Sequence, residues 1–110
     1  MTRHDNAVYL HHRLDAVEKI THYIGKLSHS EFIADSLRID AVLRNFEIIG
    51  EASNNLSDDF KEQHATIDFR SAIGIRNRLI HGYDDVDLNI VWDTIKDDLP
   101  TLKQAIEKIL

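Results

Sequence analysis

The chain reads as an all-α protein on three observations. Apolar residues recur at spacings of three and four along most of its length, no stretch alternates apolar and polar residues as a half-buried strand would, and Gly, Ser, Asn and Asp fall where the periodic stretches end. The architecture this predicts is an antiparallel bundle of four main helices plus short ones. The length of 110 residues suits one core and is short of two independently folding units, so residues 1–110 are read as a single domain.

The first helix is expected over roughly residues 6–27, where Leu10, Leu14, Val17, Ile20, Ile24 and Leu27 form one apolar stripe. Gly25 lies near its end. Ser28 with Glu31 three residues later has the form of a capping box, which opens a short second helix, "SEFIADS". A long third helix carries Ile39, Val42, Phe46, Ile49 and Ala52 and fades near "SNNLS", where Ser and Asn side chains compete for backbone hydrogen bonds. Ser57 is placed to cap a short helix, "DDFKEQH", and Asp68 a further one, "FRSAIGIRNRLIH", whose end Gly82 marks. After "YDDVD", whose acids suit a solvated loop and the cap of the next helix, the stripe Leu88, Val91, Ile95, Leu99, Leu102, Ile106 and Ile109 keeps phase through Pro100. That pattern predicts one helix kinked there or two stacked nearly end to end.

Composition narrows the function classes. No apolar run is long enough for a signal peptide or a membrane span, and there is no cysteine for a disulfide framework or a thiolate zinc site, so the expectation is a cytoplasmic protein. Thirteen basic against nineteen acidic residues give a formal charge of −6, which opposes indiscriminate attraction to nucleic acid. Any phosphate contact must therefore be local. Between Phe69 and Tyr83 there are three arginines and no acid, and Asp84, Asp85 and Asp87 follow at once.

Within that cationic island lies "RNRLIHGY", residues 76–83. Arginine presents a planar fork of donors that matches phosphate oxygens, and histidine exchanges a proton near neutral pH, so Arg76, Asn77 and His81 have the parts for handling a phosphodiester. Asn77 and His81, four apart, share a helix face. Arg76 and His81, five apart, are separated by about 140° on an ideal helix, which favours a site completed by a bent side chain or by a second subunit. The competing reading is helix capping: Arg and His near a helix C-terminus complement its dipole and bond its last carbonyls, and Tyr83 alone reads as a packing residue. Spacing by itself leaves both open.

The segment "IGIRNRLIHGYDDVD", with "RNFEIIGEASNNLS" before it and "VWDTIKDDLPTLKQAIEKIL" after it, resembles the HepT family of HEPN-domain proteins, the toxin half of HepT/MntA toxin–antitoxin systems. The family's Arg-x4-His-x-Tyr motif is met by Arg76, His81 and Tyr83. The resemblance implies a HEPN-type bundle that forms a homodimer, with two motif helices facing across a cleft, and RNA cleavage without metal or other cofactor. In that chemistry the RNA 2′-hydroxyl attacks its neighbouring phosphate, His81 acts as base or acid, Arg76 neutralises developing charge, and Asn77 orients the histidine or the substrate. It also implies that Tyr83 is the hydroxyl to which a partner nucleotidyltransferase, MntA, transfers AMP. The added phosphate would compete with RNA for Arg76 and His81. A non-catalytic RNA- or nucleotide-binding module that serves only as that partner's substrate is the alternative, because binding and cleaving phosphate want the same side chains.

Other residues were weighed in the same terms. Arg78 in the motif and Arg44, with Arg38, on the long helix are candidate extensions of an RNA surface. Glu51 reads either as a surface carboxylate or as a structural partner for Arg76 or Arg44. Trp92 reads as a core or dimer-interface residue and Gly74 as the mark of a close helix crossing. The histidines at 4, 11, 12, 22, 29 and 64 have no metal-ligand spacing, and no metal is expected.

Overall fold

The computed structural model of the chain describes residues 3–54, 70–79, 82 and 86–109. The helices expected after Ser57 and at Asp68 itself, together with His81 and Tyr83, lie outside the described residues. The described residues are all helical or connecting backbone, with no strand among them: α1 (Arg3–Ile24), α2 (His29–Ile33), α3 (Ser36–Asn54), α4 (Arg70–Leu79), α5 (Leu88–Asp93), a π-helical turn (Thr94–Asp98) and α6 (Leu99–Ile109). None of these helices is long and apolar enough to cross a membrane.

α1 begins a turn earlier than its apolar stripe and stops at Gly25, whose positive φ of 50° turns the chain after the helix while its N–H still bonds the Thr21 carbonyl at 3.0 Å. α2 starts on the expected capping box. The Ser28 hydroxyl accepts from the Glu31 N–H at 3.2 Å and the Glu31 carboxylate accepts from the Ser28 N–H at 2.9 Å, so two otherwise orphaned donors are satisfied.

α3 is the central element, packed on α1 along one side and on α4 along the other. Val42, Leu43, Phe46 and Ile49 are buried between them, joined by Leu10, Val17, Ile20 and Ile24 from α1 and by Ala72, Ile75 and Leu79 from α4. Fully burying a side chain of that size is worth about 1.5–3 kcal/mol each, which outweighs the modest helix propensity of the β-branched ones. The same stripe on α1 holds Arg13, three residues past Leu10 and four before Val17, and it is fully buried. Burial pushes its guanidinium down to about 9.

The last helical stretch runs unbroken from Leu88 to Ile109. Asp87 caps it by accepting from the Asn89 N–H at 2.8 Å, as the "YDDVD" acids predicted. Pro100 neither ends nor splits it. The adjustment is made upstream, where the Leu99 N–H bonds the Thr94 carbonyl five residues back, and the Thr94 hydroxyl donates to the Ile90 carbonyl at 2.8 Å. Proline has no N–H to bond the carbonyl four residues before it and its ring crowds that carbonyl, so a widened turn just ahead of it relieves both problems. Trp92 ties this helix to α2: its ring stacks on His29 (5.3 Å between centroids), meets Phe32 at 5.6 Å, and lies under the Lys96 ammonium at 4.8 Å.

Candidate functional site

α4 carries the motif, and its amphipathic pattern decides where each side chain goes. Ala72, Ile75 and Leu79, at spacings of three and four, face the core. Arg76, one position past Ile75, falls at the edge of that face and is half-buried against α3, whereas Asn77 and Arg78 are exposed. The helix ends as expected before Gly82, which has φ of 120° and donates its N–H to the Leu79 carbonyl at 3.1 Å.

The contact that places Arg76 comes from Gly50 of α3. A Cβ built on Gly50 would lie 2.5 Å from the Arg76 Cβ, 2.8 Å from its Cγ and 3.4 Å from its Cδ, so the root of the arginine side chain rests directly on a bare α-carbon. No residue larger than glycine fits there without moving one helix or the other. From this root the guanidinium reaches outward, with Nη1 at 3.5 Å from the Asn77 side-chain oxygen, a long hydrogen bond. Arg76 lines an open groove with Leu79 and with Arg44, Glu47 and Glu51 of α3.

The groove gathers some of the candidates and separates others. Arg44 lies in it, held by Glu47 at 3.1 Å, an i,i+3 pair on the surface of α3. Glu51 is an exposed carboxylate on the same groove, and the acid that pairs with Arg44 is Glu47, which the sequence reading did not single out. Arg78 lies two residues beyond Arg76, about 200° around the helix. It lines a different groove, with Gly74, Ile75, Val86, Asp87, Ile90 and Thr94, between α4 and α5. Arg38 is engaged elsewhere, with Asp35 at 3.2 Å and the Tyr23 carbonyl at 3.0 Å. Gly74 does not mark the close crossing. It is exposed, and a Cβ there would meet nothing within 4 Å among the described residues; Gly50 takes that role on the opposite helix.

Chemically, the groove offers one arginine with a constrained root and free donors, a second arginine in a solvated ion pair, and an amide beside the first. That set can receive a phosphate oxygen and stabilise charge on it. The acids Glu47 and Glu51 on its α3 side oppose polyanions that approach in any other pose.

Comparison with known proteins bears on the same residues. The chain matches the family described as "Ribonuclease HepT-like" over residues 13–109. It is 40% identical over 101 residues to the "Probable ribonuclease HepT" of Thermococcus cleftensis, with 92% of each chain covered. It is 35% identical over 102 residues to a "Putative RNase" of Caldanaerobacter subterraneus subsp. tengcongensis, covering 93% of this chain and 91% of that one. A third relative, the "Gamma-glutamylcyclotransferase and putative RNase" of Methanocaldococcus jannaschii, is 38% identical over 108 residues; these are 98% of this chain but 49% of that protein, so the chain spans about half of its length. No solved structure matches.

Proposed function

This chain belongs to the HepT-like ribonuclease family, and from that membership we propose that it is a metal-independent endoribonuclease, active as a homodimer in the cytoplasm, and the toxin of a toxin–antitoxin pair. The observation that carries the reading is the placement of Arg76: a guanidinium with its root fixed on α3 and its donors open to a groove, five residues before the motif histidine.

In the proposed reaction the RNA 2′-oxygen forms a bond to the adjacent phosphorus, the bond from phosphorus to the 5′-oxygen breaks, and the products are a 2′,3′-cyclic phosphate and a free 5′-hydroxyl. His81 of one protomer takes the 2′-hydroxyl proton and His81 of the other supplies a proton to the leaving 5′-oxygen. Arg76 neutralises the charge that builds on the non-bridging oxygens, and Asn77, within hydrogen-bond reach of Arg76, orients it or the histidine. Arg44 and Arg78 contact flanking phosphates. Two facing motifs double the local positive charge of a chain that is acidic as a whole.

Silencing follows from the last residue of the motif. A partner nucleotidyltransferase transfers AMP to the Tyr83 hydroxyl, and the new phosphodiester sets bulk and negative charge beside Arg76 and His81.

The test is cleavage of RNA by purified, unmodified protein in the presence of a chelator. His81→Ala and Arg76→Ala each lower the rate by about 10²–10⁴-fold. Binding without cleavage by the wild type, or equal cleavage by His81→Ala, would reduce the protein to an RNA-binding module. Intact-mass measurement after co-production with the neighbouring nucleotidyltransferase shows AMP-sized increments that Tyr83→Phe abolishes.

A further inference from the structure

We propose that Gly50 is a positioning residue for the reaction: its bare α-carbon seats the first carbons of Arg76 and thereby sets where the guanidinium enters the groove. The inference rests on Arg76 being the phosphate-contacting cation.

Glycine in the middle of a helix is disfavoured, since it loses more backbone freedom on folding than alanine does. Position 50 is buried within α3, and its backbone does not call for glycine, because Gly25 and Gly82 are the residues with positive φ. What calls for it is the approach of α4. The atoms that would meet a Cβ are Arg76 Cβ and Cγ at 2.5 and 2.8 Å, and the first of these is fixed to the α4 backbone and cannot swing aside. The helices approach most closely, by this measure, at the proposed catalytic side chain. Gly74 on α4 has open space and no such neighbour among the described residues.

The consequence is control over a long, otherwise free side chain. An arginine on an exposed surface samples many rotamers, and a displacement of about 1 Å at the reacting groups is enough to cost about 10²-fold in rate. With Cβ and Cγ seated on Gly50 and the head held near Asn77 Oδ1, only the outer torsions of Arg76 stay adjustable. Adding one methyl group at position 50 forces α4 away or drives Arg76 into another rotamer, in either case moving the guanidinium relative to the scissile phosphate. Binding of RNA, spread over many phosphates, changes far less.

The experiment compares Gly50→Ala with Gly74→Ala and Arg76→Ala, using a fluorescent RNA for cleavage and a 2′-deoxy-substituted RNA for affinity. Gly50→Ala lowers kcat at least ten-fold with KM and affinity within three-fold, and Gly74→Ala leaves both unchanged. If Gly50→Ala cleaves as the wild type does while Arg76→Ala is inactive, the positioning role is overturned and the site stands. If Arg76→Ala itself cleaves normally, the site reading fails first. Should Gly50→Ala not fold, the double variant Gly50→Ala/Arg76→Gly, which frees the space, regains a cooperative thermal transition; its failure to do so would mean that Gly50 serves something other than Arg76.

Discussion

Arg44 Nη1 donates to Glu47 Oε2 at 3.1 Å, so the second arginine of the Arg76 groove is already partnered by an acid. The arginine side chain is 69% exposed, and a pair in that setting contributes about 0.2–1 kcal/mol. Phosphate can therefore displace the carboxylate. Glu47→Gln, which keeps the shape and removes the charge, is expected to tighten binding of a non-cleavable RNA by about two- to five-fold at low salt, with the difference fading as salt screens it. Arg44→Ala shallows the dependence of affinity on salt by about one counterion. Fluorescence anisotropy over a salt series reads both, and weaker binding by Glu47→Gln would remove Arg44 from the RNA surface.

Arg13 makes a second prediction, on stability rather than on the site. Its guanidinium is fully buried and pushed from an ordinary value of 12.5 down to about 9. The unfolded chain thus holds more protons than the folded one between those two values, and unfolding free energy from this group rises with pH across that window. Arg13→Met keeps the length and removes the titration. In urea unfolding the wild type should gain on Arg13→Met as pH climbs above about 9 and run parallel to it below; a constant difference at all pH values would contradict the burial. Arg13→Ala removes a large buried side chain and should lose about 2–5 kcal/mol.

The capping box gives a third. The Ser28 backbone N–H, and then its hydroxyl, hold the Glu31 carboxyl below its ordinary value of 4.5. Because the folded value is the lower one, this contribution is complete above 4.5 and is lost as pH falls through the folded value. Ser28→Ala should cost about 1 kcal/mol in thermal or urea unfolding at neutral pH, and the gap to wild type should narrow on acidification below pH 4.5. A gap that stays constant from neutral pH to well below 4.5 would remove the reciprocal bond from the account.

Periodicity made the helices legible, and chemistry made their ends legible. The spacing of Val42, Phe46 and Ile49 and the Ser28–Glu31 pair each correspond to a buried stripe or a cap that is present. Three features escaped for physical reasons. Arg13 occupies an apolar register, but a charged residue there reads as an interruption of the stripe; its offsets from Leu10 and Val17 were the available signal. The chain has glycines in two long helical stretches, at 50 and 74, and which of them lies at a crossing depends on what stands opposite, a long-range fact that local pattern does not encode. Arg76 and Arg78 look like one cationic cluster when written in a line, yet the helix turns them into separate grooves, and the same turn brings Arg44 of α3 to Arg76 instead. The motif itself was legible through its resemblance to a family, while spacing alone could not separate phosphate handling from helix capping.

The wide turn at Thr94–Asp98 acts as a phase corrector. Val91, Ile95 and Leu99 stand four apart, a spacing that on a uniform α-helix drifts sideways by about 40° at each step. The wide turn absorbs that drift, so Leu102 and Ile106 reach the same interior as Val91. Loss of a single residue from this turn would rotate the final eleven by about 100° and carry Leu102 and Ile106 toward water. Homologous chains that share this core should therefore vary in residue identity along 94–98 far more readily than in residue number.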